Sequence, residues 1–327
     1  MKTKFKLLSL SASLLLCGLG MSGNAQAEAY AVSTDNIKNG LLTFTGALNF
    51  GSPASLSSSA ASLNGSGQSG SAAGPPAPDS PASNGTGAPP AFTRTNEMVF
   101  TTGAGNTYYS LFGPQKTVNY SGGDAKIVSE QTGPGTFVEA RNIAGSNIGT
   151  TGFADADGRN SSSTLLSAPV SCSSASCTID FSFLADPYIQ VLLDAAAGPG
   201  SVARGVLAVN ISLRQVGASV DFFSWAPNGV VGNGIVGGTE IFDDENLNLT
   251  VTQLTPGTTT FSGPYASDVF GKYEAFTNPF GPGNYVLSLS SIEKTDVKRT
   301  AVPEPEGLAL VGLALAGLAI TRRRKQV

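Results

Sequence analysis

The sequence predicts an all-β protein: an antiparallel β-sandwich of jelly-roll-like form, with a low-complexity insertion and a short apolar helix at its C-terminus. Three observations lead there. Short runs alternating apolar and polar residues recur through the second half of the chain, Gly- and Pro-rich turn signals separate them, and the body lacks an amphipathic pattern of three helical turns. With 327 residues the chain is long enough to bury a real core. Only 13% of it is charged, against about a quarter in a typical soluble domain.

Residues 1–27 read as a secretory signal. Lys2, Lys4 and Lys6 precede an apolar stretch from Leu7 to Leu19, and Ala25-Gln26-Ala27 has the small-x-small pattern of a signal peptidase site. Cleavage is expected after Ala27, with Ala29 as the alternative. Cys17 follows Leu16 where a lipobox needs a small residue, so it reads as filler of the signal core.

Residues 28–50 hold the first strand region. From Leu41 to Phe50 the even positions Leu42, Phe44, Leu48 and Phe50 share a face, interrupted at Gly46. Residues 51–91 are mostly Ser, Ala, Gly and Pro with Asp79 as the single charge, and too little apolar surface to offset the entropy of ordering. They are expected to be a disordered insertion within one fold, because the segment before them is too short for a core of its own.

Residues 92–301 form the expected sandwich body. Ile179, Phe181 and Phe183 alternate with polar residues, as do Leu207, Val209, Ile211 and Leu213; Leu247, Leu249 and Val251; and Tyr285, Leu287 and Leu289. Apolar runs at Tyr188–Leu193 and Val220–Trp225 add two strands. Gly198-Pro199-Gly200, Pro227-Asn228-Gly229, Pro256-Gly257 and Gly281-Pro282-Gly283-Asn284 supply turns between them. The glycine-rich stretch from Thr101 to Thr164 supports no clear assignment.

Residues 302–327 are the most specific segment. Val302-Pro303-Glu304-Pro305-Glu306 leads into an apolar run from Gly307 to Ile320, and Arg322, Arg323, Arg324 and Lys325 follow. At ~1.5 Å per residue the run reaches about 21 Å, short of a ~30 Å hydrocarbon core. The prolines stop a helix from growing upstream, and the basic cluster holds the tail in the cytoplasm. This segment resembles the PEP-CTERM sorting signal of Gram-negative bacteria, with its three parts in order; Glu306 stands where a small or hydroxyl residue is commoner. The resemblance implies a transient transmembrane sorting helix in the inner membrane, processing by an exosortase after signal peptidase, and delivery to the cell surface or an exopolysaccharide matrix. An ordinary tail anchor is the alternative.

Composition limits the chemistry. Zero histidine removes Ser-His-Asp and Cys-His triads, imidazole-ligated zinc and imidazole acid–base catalysis. Without signal and tail, 12 basic and 21 acidic residues remain, about −9, which argues against nucleic acid as a partner. Cys172 and Cys177, the two cysteines outside the signal, suit a small-loop disulfide in an oxidising compartment.

Asp243, Asp244 and Glu245 precede a strand in a loop where oxygen ligands for Ca²⁺ could gather, although a solvated acidic loop is the commoner outcome for such a cluster. No other cofactor is expected. Asp155-Ala156-Asp157-Gly158-Arg159-Asn160 departs from a calcium loop at Arg159 and Leu166, and reads as a surface turn. Asp180, Asp194, Asp221 and Glu240 are acids available for glycoside hydrolysis, with no spacing that selects two. Trp225, Tyr108, Tyr109, Tyr265 and Tyr273 suit sugar stacking or core packing. The leading expectation is an exported structural protein of the cell surface or extracellular matrix, without catalysis. The alternatives are a carbohydrate-binding module for exopolysaccharide, calcium-assisted through the Asp243 loop, and a polysaccharide hydrolase.

Overall fold

The computed structural model describes residues 27–73, 82–86, 119–130, 135–136, 138–149, 155–261 and 270–300, and every regular element among them is a strand. In chain order these are β1 (Ala29–Thr45), β2 (Leu48–Phe50), β3 (Ala54–Leu63), β4 (Ser66–Ala73), β5 (Ala82–Thr86), β6 (Asn119–Glu130), β7 (Gly135–Thr136), β8 (Val138–Ile148) and β9 (Ala156–Cys172). There follow β10 (Thr178–Ala185), β11 (Tyr188–Leu193), β12 (Val202–Gln215), β13 (Phe223–Trp225), β14 (Ile235–Val236), β15 (Gly238–Asp243), β16 (Asn248–Gln253), β17 (Gly257–Phe261), β18 (Gly271–Thr277) and β19 (Gly283–Arg299). One sheet runs β15-β18-β10-β1-β8-β6-β5, with β7 and β11 also on β1 and β17 on β11. The other runs β14-β13-β12-β19-β9-β3-β4, with β16 on β12 and β2 on β9. Pairing is antiparallel in both, and the all-β expectation stands.

The period-2 patterns place the inner faces. Along β10, Ile179, Phe181 and Phe183 are buried, and along β12 Leu207, Val209, Ile211 and Leu213 are. On β19 every odd position from Tyr285 to Arg299 points inward, well past the run visible in the sequence. Phe183 stacks on Tyr273 with ring centroids 4.9 Å apart and lies 5.6 Å from Trp225, while Phe181 stacks on Phe223 at 5.4 Å. Such aromatic pairs contribute about 0.5–1.5 kcal/mol each beyond their area.

β1 changes phase along its length. Ser33 and Asp35 face the second sheet from odd positions, whereas Leu42 faces it from an even one. A register shift between Lys38 and Leu41, with Asn39 at φ +53°, makes the switch, since one extra residue moves every later side chain to the other face. Downstream, Leu41–Thr45 pairs with β10 in the first sheet, but Leu48–Phe50 pairs with β9 in the second. The single strand expected over Leu41–Phe50 is thus two, broken at Gly46. Its φ of +87° suits glycine, and a Cβ there would lie 2.5 Å from the Ser176 carbonyl oxygen. The chain crosses back beside this corner, from β9 to β10, and a disulfide joins Cys172 to Cys177 across that crossing.

The disordered insertion expected over 51–91 requires correction. Residues 54–73 form the β3–β4 hairpin on β9, and 82–86 form β5; residues 74–81 and 87–91 lie outside the described residues. Ser55, Ser57, Ser59, Ala61 and Leu63 are buried in strict alternation. Composition misled because the partner strand supplies what these small side chains lack. Ser59 Oγ is 3.0 Å from Ser162 Oγ, and Ser58 Oγ is 2.8 Å from Ser163 Oγ, so hydroxyls satisfy hydroxyls across the ladder. The turn expected over 155–160 is likewise mostly strand, the start of β9.

No helix among the described residues is long and apolar enough to cross a membrane. The signal through Gln26, including Ala25, and the tail from Val302 to Val327 lie outside them. Ala27 is buried, and its carbonyl accepts a hydrogen bond from Arg299 Nη1 at 3.3 Å.

Candidate functional site

The acidic loop ahead of β16 is organised around backbone amides. Asp243 is buried, and its Oδ2 accepts from the N–H groups of Asn228, Gly229 and Val230 at 2.8, 2.9 and 3.2 Å. Asp244 Oδ2 accepts from Lys272 N at 2.7 Å, and the Glu245 carbonyl accepts from the Tyr273 hydroxyl at 3.2 Å. The carboxylates of Asp243 and Asp244 therefore serve two different backbone segments, and Glu245 takes the Tyr273 phenol on its backbone carbonyl. Among the described residues no group of three or more acidic or cysteine side chains is placed to hold a metal ion.

Glu240 lies beside Asp243 on the inner face, although an odd number of positions, three, sets them apart in the strand. A bulge between Glu240 and Phe242 restores the phase and turns Ile241 and Phe242 outward. Glu240 accepts from Trp225 Nε1 and, at 2.6 Å, from Gly232 N. Burial raises its carboxyl above the usual range, opposed by those two hydrogen bonds. This pair closes the Pro227–Gly234 loop over the aromatic end of the core.

The other acids considered for hydrolysis are dispersed. Asp180 accepts from Thr43 Oγ1 at 3.2 Å on the outer face of β10, while Glu240, two strands away, points inward. Asp194 accepts from Ala196 N at 3.1 Å in the turn after β11, and Asp221 pairs with Arg214 Nε at 2.7 Å. Trp225 and Tyr273 are fully buried, so neither offers a ring face to a sugar; Tyr108, Tyr109 and Tyr265 lie outside the described residues.

Sequence reasoning missed a polar band through the middle of the sandwich. Inward positions of β19 read Leu289, Ser291, Glu293, Thr295, Val297, and on β9 they read Leu166, Thr164, Ser162, Asn160, Gly158. The first sheet answers with Asp35, Asn142, Ser146 and Ser121. Asn142 Nδ2 donates to Thr164 Oγ1 at 3.1 Å and to the Ser291 carbonyl at 3.3 Å, and Ser146 Oγ is 2.9 Å from Thr295 Oγ1. Packing is tight: a Cβ on Gly123 of β6 would lie 2.2 Å from both Asn160 Oδ1 and Ser162 Oγ. Burial, reinforced by the charge of Asp186, pushes the Asp35 carboxyl up to about 7, and burial with the charge of Asp35 raises Glu293 well above its ordinary range. These acids are sealed from solvent and out of a substrate's reach. On β9 the signal was confined to Asn160, Ser162 and Thr164, polar residues at alternate positions.

On the outside of the second sheet the strands β4, β3, β9, β19 and β12 floor an open recess of about 930 Å³. Arg159, Arg204, Lys294 and Asp296 line it together with Ser62 and Ser161. Arg159 Nε is 3.3 Å from Asp296 Oδ1 and 3.9 Å from Asp157 Oδ2.

Residues 301–325 match the model of the PEP-CTERM protein-sorting motif. No curated protein and no solved structure matches the chain. The matched segment holds Val302, Pro303, Glu304 and Pro305 and the basic cluster Arg322 to Lys325, as the sequence resemblance implied. It implies an exported protein that transits the membrane and is processed by an exosortase on its way to the cell surface.

Proposed function

We propose that the chain is a structural component of the cell surface or extracellular matrix, working as a folded body and without catalysis. The observation that carries this reading is the sorting motif at residues 301–325, which begins two residues after the last strand, β19, ends at Arg299. β19 is a central strand of the second sheet, so in sequence the motif follows the folded body without a long intervening segment. Each acid offered for glycoside hydrolysis is engaged with backbone amides, a hydroxyl, an indole or an arginine. Deleting residues 302–327 tests the reading in the producing cell. Loss of the protein from the surface fraction, with weakened matrix cohesion and unchanged polysaccharide turnover, is the expected result. A change in glycan chain length with cohesion intact would instead support a hydrolase.

A second reading, a carbohydrate-binding module, is favoured by the recess on the second sheet. This reading does not depend on calcium at the acidic loop, where the Asp243 and Asp244 carboxylates accept from backbone amides.

A further inference from the structure

We propose that the recess on the outer face of the second sheet binds an anionic polysaccharide, its uronate-type carboxylates held by Arg204 and Lys294. The inference deepens the matrix reading and rests on it for the supply of ligand.

Antiparallel register places the charges. Lys294 of β19 sits between Ser161 of β9 and Val206 of β12, and one outward step along β19 Asp296 sits between Arg159 and Arg204. Asp296 is committed to Arg159 by the 3.3 Å contact. Among the described residues neither Arg204 nor Lys294 is held in an ion pair, and the recess is lined by three cations, Arg159, Arg204 and Lys294, against the single carboxylate of Asp296. Without signal and tail the chain as a whole is acidic, with 21 acidic against 12 basic residues, so such a pair is not explained by overall charge.

The lining also selects among anions. A guanidinium offers a planar fork that fits a carboxylate, and an ammonium adds a mobile point charge. Hydroxyls of Ser62 and Ser161 suit the hydroxyls of a sugar ring. Among the described residues no aromatic side chain lines the recess, so they offer a neutral glycan no stacking platform and a nucleic acid none for its bases. Five strands at about 4.8 Å spacing give a floor about 19 Å across, suited to an extended polymer.

The test uses the processed protein recovered from the producing cell, with polygalacturonate as probe and dextran as its neutral counterpart. Binding to polygalacturonate that weakens with salt, and none to dextran, is expected. The double variant Arg204→Ser, Lys294→Ser should lose about tenfold in affinity, as two exposed charge contacts imply. Lys272→Ser, the same kind of charge loss on the other sheet, should change affinity less than twofold; melting curves of all variants report on folding. Equal affinity in the double variant, equal binding to dextran, or a preference for anionic vesicles or DNA would overturn the proposal. Delivery is read separately: protein that reaches the surface yet ignores polygalacturonate sinks the recess alone, and protein that binds the probe but stays in the inner membrane sinks the matrix reading alone.

Discussion

The carboxyls of Asp35 and Glu293, one from each sheet, meet at a single hydroxyl: Ser291 Oγ lies 3.4 Å from Asp35 Oδ2 and 2.9 Å from Glu293 Oε1. A hydroxyl has one proton to give, so it cannot satisfy both acids at once. Among the described residues, Asp35 Oδ1 and Glu293 Oε2 are buried without hydrogen-bond partners. Two unprotonated carboxylates in this position would repel each other in a low-dielectric interior, so the folded state holds protons here that the unfolded chain releases.

Stability should therefore fall with rising pH. An unfolded Asp or Glu titrates near 4, whereas Asp35 is pushed up to about 7 in the fold and Glu293 is raised as well. The stabilisation is complete below the unfolded value and is lost as pH climbs through the folded one. The slope is at most about 1.4 kcal/mol per pH unit for each proton. Urea unfolding at pH 5 and pH 8 should show wild type weaker at pH 8, and Asp35→Asn should narrow that gap. An undiminished gap in the variant would show that this pair is not its source.

The Asp243 carboxylate holds the turn at Pro227-Asn228-Gly229 through three backbone N–H groups. Asp243→Ala should cost about 1–3 kcal/mol, the scale of buried donors left unpaired. Asp243→Asn, which keeps an acceptor oxygen, should cost less. Thermal melts of the two variants decide it, and equal losses would contradict the role given to the carboxylate oxygen.

The Cys172–Cys177 bridge closes a short loop, yet it sits where β9 in one sheet gives way to β10 in the other. Chain entropy assigns so short a loop about 2 kcal/mol. Replacing both cysteines with Ser should remove about that much and speed amide exchange at Gly46 and Ala47, since Ala47 N donates to Ser174 Oγ inside the loop. Unchanged exchange there would mean that the corner holds without the bridge.

The sequence revealed those strands whose environment is simple. β10, β11 and β12 separate an apolar face from a polar one or form a plain apolar run, and their runs in the sequence fall within the elements. β1 was half hidden: Ala29–Ile37 is buried on both faces, so Tyr30 and Val32 interrupt the alternation that Ala29 and Ala31 would set. The β3–β4 hairpin was hidden because its burial depends on the serines of β9, a pairing that no local property encodes. For the same reason the polar band could not be seen, as alternation assigns Asp35 and Glu293 to solvent. The sorting segment was legible because its prolines, apolar run and arginines are contiguous and carry their chemistry without a fold.

The account stands on delivery through the tail, and intact mass with cell fractionation, in hosts with and without an exosortase, tests that most directly. With the enzyme, the product should begin at Glu28, lack the helix after Pro305 and leave the inner membrane. Without it, the same N-terminus should be found on a chain that keeps its tail and stays membrane-bound. An uncut tail held in the inner membrane in both hosts would contradict the account and leave the sandwich as a periplasmic domain on a simple anchor.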